Sequence, residues 1–290
     1  MFLLLITSRI AIRLFSFNKI LLFIKKLAFS SALKIDFCCL KQKKKRKREQ
    51  SNICEAPLGA SVMAGVSEAL GNVLRNVQML SSQYGKKVPR LVAVSKTKPI
   101  AALNEAYEAG QRHFGENYVK ELVEKAPNMP SDVQWHFIGH LQSNKAKLIA
   151  AIPNIYMVES IDSAKLADTL NKHLPLDRDM PLKVMVQVNT SGEESKSGVQ
   201  PGDCVELVRH IVGHCSKLQF VGLMTIGRLG DIYPECFQVL VDCKKEVENS
   251  GLVDTTEELE LSMGMSGDYD IAIEYGTTNI RVGSTIFGSR

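Results

Sequence analysis

Apolar residues along this chain gather into short runs at a nearly even spacing. Strand-like runs fall at 91–95, 113–116, 135–139, 155–159, 182–189, 219–225, 259–263 and 279–283. The first, "LVAVS", is nearly continuously apolar and reads as a strand covered on both faces. Between most of them lie segments such as "IAALNEAYEAG", "NYVKELVEKA", "SAKLADTLNKH" and "CVELVRHIVGHC", whose apolar positions recur at three- and four-residue steps. Glycine or proline near their ends punctuates them as helices. Eight strand–helix units in roughly 200 residues predict a single (β/α)8 barrel, with an open doubly wound sheet as the alternative.

One further amphipathic helix, at 65–83, precedes the first strand. After the last strand's "RVGS" only "TIFGSR" remains, too little for an eighth outer helix. The leading helix is therefore expected to close the outer ring as an extra N-terminal helix.

Composition divides the chain in two. Its 290 residues carry a net charge of +5, but residues 1–50 hold thirteen Lys or Arg against only Asp36 and Glu49. The remainder is mildly acidic, which argues against nucleic acid as the partner of the folded part. Residues 1–62 read as a basic leader: disordered, targeting, or ahead of the true start at Met63. Their apolar, Ser/Lys/Arg-rich opening has transit-peptide character, and its uncharged runs fall far short of the ~18 residues of a membrane span. The expected domain is thus 63–290, cytoplasmic, or mitochondrial if the leader is a genuine transit segment. Seven cysteines without a CxxC pair or Cys/His ligand spacing suggest neither a disulfide framework nor a metal site.

In such barrels the chemistry sits at the C-terminal ends of the strands. Those ends read Lys96, then Glu116 with Asn117, His140, Glu159, Asn189, Thr225, Ser262 with Met263 and Gly264, and Arg281 with Gly283 and Ser284. A lysine where the buried run "LVAVS" stops has three readings: a surface charge, a salt-bridge partner, or an amine that attacks a carbonyl. "LSMGMSGD" and "RVGSTIFG" end strands seven and eight, whose loops commonly hold phosphate in this class. Small residues there let backbone N–H groups approach an oxyanion, although tight turns need glycine too. A carbonyl-seeking lysine facing a phosphate cradle is the minimum apparatus for holding pyridoxal 5′-phosphate.

"VAVSKTKP", "FGENYVKEL", "WHFIGHLQSNK", "VQVNTSGEESKSG", "GLMTIG", "LSMGMSGD" and "NIRVGSTIFG" resemble the pyridoxal phosphate homeostasis protein family, over about residues 65–290. The resemblance implies a barrel similar to the N-terminal domain of alanine racemase that binds the cofactor without established turnover. It implies Lys96 as the Schiff-base lysine, Ser262, Gly283 and Ser284 at the phosphate, and Gly264 among the cofactor-binding residues. It further implies Arg281 facing the pyridine nitrogen and Asn117 lining the pocket. Met224 and His140 read equally as mouth lining or as packing. Arginine only donates hydrogen bonds, so the ring nitrogen it faces stays unprotonated and the ring is a weak electron sink. The second domain that carries the opposing base in racemases is not expected here.

The reading taken is a monomeric carrier or buffer, not an enzyme, that holds the cofactor and hands it to apo pyridoxal phosphate enzymes. The alternative is a racemase-like enzyme of low activity, or a lysine-dependent aldolase working without cofactor. Nucleic-acid binding through 41–49 is a third reading, confined to the leader.

Overall fold

The computed structural model describes residues 65–176, 178–193, 196–227, 234–254, 256 and 258–289. The expectations for residues 1–62 lie outside them. Eight parallel strands follow one another around a closed barrel: β1 (Arg90–Val94), β2 (His113–Glu116), β3 (Gln134–Phe137), β4 (Ile155–Ile161), β5 (Leu182–Gln187), β6 (Leu218–Met224), β7 (Glu260–Met265) and β8 (Asn279–Val282). Pairing of β8 with β1, which sets Arg281 beside Val92, excludes the open sheet.

Helices α1 (Val66–Tyr84), α2 (Ile100–Glu108), α3 (Val119–Lys125), α4 (Ala146–Ala150), α5 (Ala164–His173), α6 (Cys204–His214), α7 (Pro234–Asn249) and α8 (Tyr269–Glu274) surround the strands. After β8 comes a single turn, α9 (Ser284–Phe287). α1 buries Leu70, Val73, Val77 and Ser81, a stripe at three- and four-residue spacing, and stops at Gly85 in the left-handed conformation. It packs against α2, α8 and α9. The Ser67 N–H donates to Glu105 Oε1 at 3.1 Å, and Asn76 Nδ2 donates to the Tyr269 hydroxyl at 2.6 Å.

Two different interiors result. Between strands and helices lies one continuous apolar core that includes Leu103, Phe114, Trp135 and Leu240. Within the barrel, Met157, Met185 and Met224 form a small separate cluster beside a polar network. Glu159 on β4 bonds His136 on β3 at 2.6 Å, and accepts from Ser262 on β7 at 2.5 Å and Asn279 on β8 at 2.9 Å. Since β4 borders neither β7 nor β8, these bonds cross the barrel interior. Burial works against the Glu159 charge, but His136, Arg281 and Ser262 outweigh it and hold the carboxyl at about 2. A fully buried carboxylate survives only when paired in this way.

Candidate functional site

A cleft of about 510 Å³ opens at the C-terminal ends of the strands, within the size range of small-ligand sites. Lys96 and Thr97 after β1, Asn117 after β2, and Ser266 and Gly267 after β7 line it. Arg281 on β8, with Gly283 and Ser284 beyond it, completes the polar wall, and Val94, Ile138, Ile226 and Met265 supply the apolar surface. Five expected residues therefore meet here: Lys96, Asn117, Arg281, Gly283 and Ser284.

The others take different places. Ser262 is fully buried beneath Arg281, whose Nη1 donates to its hydroxyl at 2.5 Å, and it does not line the cleft. The reason is strand length, since β7 runs to Met265 and so leaves Ser262 below the rim. Gly264 adopts φ +94° where the pairing of β7 with β8 shifts register, and a Cβ there would lie 2.6 Å from Ala272 Cβ. It serves a bend in the strand, in the manner of glycines at bulges.

Of the rim residues, Met224 is buried in the methionine cluster, and His140 is exposed with Nδ1 3.2 Å from Asp162 Oδ2. Neither lines the cleft. Glu159 lies inside the barrel because β4 extends to Ile161. Thr225 shares a hydrogen bond with Thr190 at 2.8 Å, and Asn189 Nδ2 donates to the Glu193 carbonyl at 2.8 Å, both within loop structure.

Ser266 is the functional candidate that reading the sequence passed over. Its hydroxyl accepts the Gly283 N–H at 3.2 Å and so joins the loops after β7 and β8. At Gly283 a Cβ would come within 3.2 Å of the Val94 carbonyl oxygen, a tight approach where the chain passes β1. The signal for Ser266 was present in "LSMGMSGD", which holds two serines, but only the true end of β7 tells them apart.

Arg281 is anchored on both sides, by Ser262 and by the Thr225 carbonyl, which accepts from Nη2 at 2.7 Å. Burial opposes its charge, and Glu159 and Asp268 support it.

Behind Lys96 lies a second buried ion cluster. Lys125 Nζ donates to the Ser95 carbonyl at 2.9 Å, to Glu116 Oε1 at 2.8 Å and to Glu121 Oε2 at 2.7 Å. The Ser95 hydroxyl donates to the same Glu116 oxygen at 2.7 Å. Burial raises the Glu116 carboxyl above its ordinary range despite the bonds from Lys125 and Ser95. Next to Lys96, Thr97 has φ +63°, and among the described residues no other non-glycine has positive φ. For a β-branched residue this conformation costs about 1–3 kcal/mol, and such strain concentrates at functional sites.

The fit to a phosphate-bearing carbonyl compound rests on two observations. Lys96, Lys98 and Arg281 line the cleft, and no carboxylate does so among the described residues. The Asn117 Oδ1 atom, buried in the wall, has no hydrogen-bond partner among them, an acceptor suited to a ligand hydroxyl.

Comparison with known proteins identifies the family. The family profile described as alanine racemase, N-terminal domain, matches residues 69–290. Alanine racemase from Corynebacterium glutamicum superposes with a TM-score of 0.57 over 76% of this chain and 62% of its own, at 14% identity, a likeness of fold. The class is thus the alanine racemase N-terminal-domain barrel. A mouse protein named pyridoxal phosphate homeostasis protein is 48% identical over 252 residues, covering 80% of this chain and 90% of its own. The protein of the same name from Schizosaccharomyces pombe is 50% identical over 218 residues, covering 73% and 89%. PipY of Synechococcus elongatus PCC7942, solved with pyridoxal phosphate bound, is 32% identical with a TM-score of 0.62, over 77% of this chain and all of its own. Within that class, the chain belongs to the pyridoxal phosphate homeostasis protein family.

Proposed function

We propose that residues 63–290 bind pyridoxal 5′-phosphate in the cleft and that the protein serves intracellular pyridoxal phosphate homeostasis, holding the cofactor and supplying it to apo-enzymes. The observation that carries this reading is the cleft whose described lining holds Lys96, Lys98 and Arg281 and no carboxylate, with Lys96 beside β1 and the Ser266–Gly283–Ser284 corner across the β8 seam. When bound, the cofactor supplies an aldehyde for the lysine amine and an aromatic ring able to delocalise charge. Lys96 makes the covalent link. Ser266 and Ser284, with the backbone at Gly267 and Gly283, hold the phosphate. Arg281 is pinned in place to donate toward the ring nitrogen, and Asn117 accepts from the ring's hydroxyl side.

The family members' names and the cofactor in PipY support this reading. A carrier role, as opposed to turnover, is supported by the makeup of the wall. Among the described lining residues there is no histidine, tyrosine, cysteine or carboxylate to act as a second base. We place the action in the cytosol as a monomer, with residues 1–62 the segment that would redirect the chain to mitochondria.

The test is the absorption spectrum of the purified protein with added cofactor, before and after borohydride. The expected result is a band in the near ultraviolet or visible that borohydride bleaches, with the reduced adduct mapped to Lys96 by mass spectrometry. In Lys96→Ala that band disappears while non-covalent binding persists through the phosphate corner. A reducible link that survives in Lys96→Ala assigns the role to another lysine.

A further inference from the structure

Lys96 stands between two residues that one ion cluster grips. On its N-terminal side, Ser95 gives its carbonyl to Lys125 and its hydroxyl to Glu116. On its C-terminal side, the Thr97 N–H donates to Glu121 Oε2 at 2.7 Å, and the same carboxylate oxygen accepts from Lys125. Helix α3, which carries both Glu121 and Lys125, therefore reaches across from the β2 side to fix the peptides before and after Lys96. Partial burial works against the Glu121 charge, but Lys125 and the Thr97 N–H outweigh it and hold its carboxyl below the ordinary range.

The left-handed turn at Thr97 makes this grip consequential. A threonine does not favour φ +63°, so beyond the turn's own bond from the Lys98 N–H to the Ser95 carbonyl at 3.0 Å, an outside partner helps to hold it. If Thr97 relaxed to an ordinary φ, the peptide plane joining it to Lys96 would rotate and the amine would lose its aim. We propose that Glu121 is a positioning residue for Lys96: by accepting the Thr97 N–H it holds the turn that points the amine into the cleft. The proposal rests on Lys96 being the amine that bonds the cofactor. In that step the amine nitrogen bonds to the aldehyde carbon, the carbonyl oxygen leaves as water, and no oxidant or reductant is needed.

The experiment measures two quantities in the wild type and in Glu121→Ala. The first is the rate of covalent capture of pyridoxal phosphate, trapped by borohydride. The second is exchange protection of the Thr97 amide without cofactor, with thermal melting as the control for folding. Glu121→Ala should expose the Thr97 amide to exchange and slow capture by about tenfold or more, as expected when a reacting group is misaligned. Equilibrium retention of the phosphate end should stay near the wild-type value, because the Ser266–Gly283 corner is untouched. Glu121→Gln keeps an acceptor for the Thr97 N–H and should lose less.

Adding Thr97→Gly to Glu121→Ala should restore most of the lost rate, since glycine takes positive φ without steric cost. A purely structural role for Glu121 would not be rescued by a glycine placed next to Lys96. Capture at the wild-type rate in Glu121→Ala, or failure of the glycine rescue in a folded protein, overturns the positioning role. A wild-type protein that captures no cofactor overturns instead the assignment of Lys96, and the positioning role falls with it.

Discussion

Glu159 and Arg281 meet on a single hydroxyl: Ser262 Oγ donates to the carboxylate at 2.5 Å and accepts from the guanidinium. The serine therefore relays between a buried anion and the cation that floors the cleft.

Ser262→Ala should accordingly act on stability before it acts on binding. Removing the hydroxyl takes a hydrogen bond from each charged neighbour, a loss of about 1–3 kcal/mol in denaturant unfolding. Ser266→Ala should do the reverse. It removes a donor at the phosphate corner, where a hydrogen bond to a charged group is worth roughly 1.5–3 kcal/mol, a ten- to hundredfold loss of affinity. Equilibrium dialysis with pyridoxal phosphate on both variants separates them. A large affinity loss in Ser262→Ala at unchanged stability would return the phosphate contact to Ser262.

How far the sequence was legible follows from such details. All eight strands could be read because most are short, largely apolar runs set off by helical patterns, and Lys96 stood out because a charge ends such a run. Strand ends were harder. β4 and β7 each continue two residues beyond their expected stops, since Ser160 and Gly264 are polar or small yet still buried in the ladder. Glu159 and Ser262 thereby moved from the expected rim into the interior. Lys125 was hidden for another reason: on a helix written "NYVKELVEKA" it looks solvated, and only the convergence of Glu116, Glu121 and the Ser95 carbonyl makes its burial tolerable.

Acid should weaken the fold progressively. The Glu159 carboxyl is lowered from 4.5 to about 2, so the unfolded chain takes up a proton first as pH falls. Its contribution is complete above about 4.5, is lost toward pH 2, and amounts to roughly 3 kcal/mol. Burial, His136 and Arg90 hold His113 down from 6.5 to about 3, so unfolding also binds a proton there between those values. Both effects have the same sign. Urea unfolding measured at steps of pH should show stability falling from pH 6.5 toward 3, and Glu159→Gln should flatten the part below 4.5.

A chain beginning at Met63 should fold and bind pyridoxal phosphate as the full-length protein does. The barrel's strands and the cleft's described residues all lie beyond that point. Thermal melting and cofactor titration of both forms are the check, and loss of binding on truncation would give residues 1–62 a part in the site.

Amino acids added to the cofactor-loaded protein should exchange their α-protons slowly. Arg281 can only donate, and no second base lines the described cleft, while a positioned general base typically contributes about 10²–10⁴-fold. Proton NMR of alanine in deuterated water measures the rate. Exchange at roughly one per second or faster, an ordinary enzymatic rate, would make the protein a racemase.

The polar network inside the barrel also governs how the chain can assemble. Glu159 waits for Ser262, 103 residues further on, and for Asn279, 120 residues further on. A half-barrel of the first four strands would carry that carboxylate with His136 alone, short of the donors that make its burial bearable. Contacts so distant in sequence form slowly. The strands therefore gain their full stability only when the ring shuts, and the barrel is expected to unfold as one cooperative unit with no stable four-strand fragment along the way.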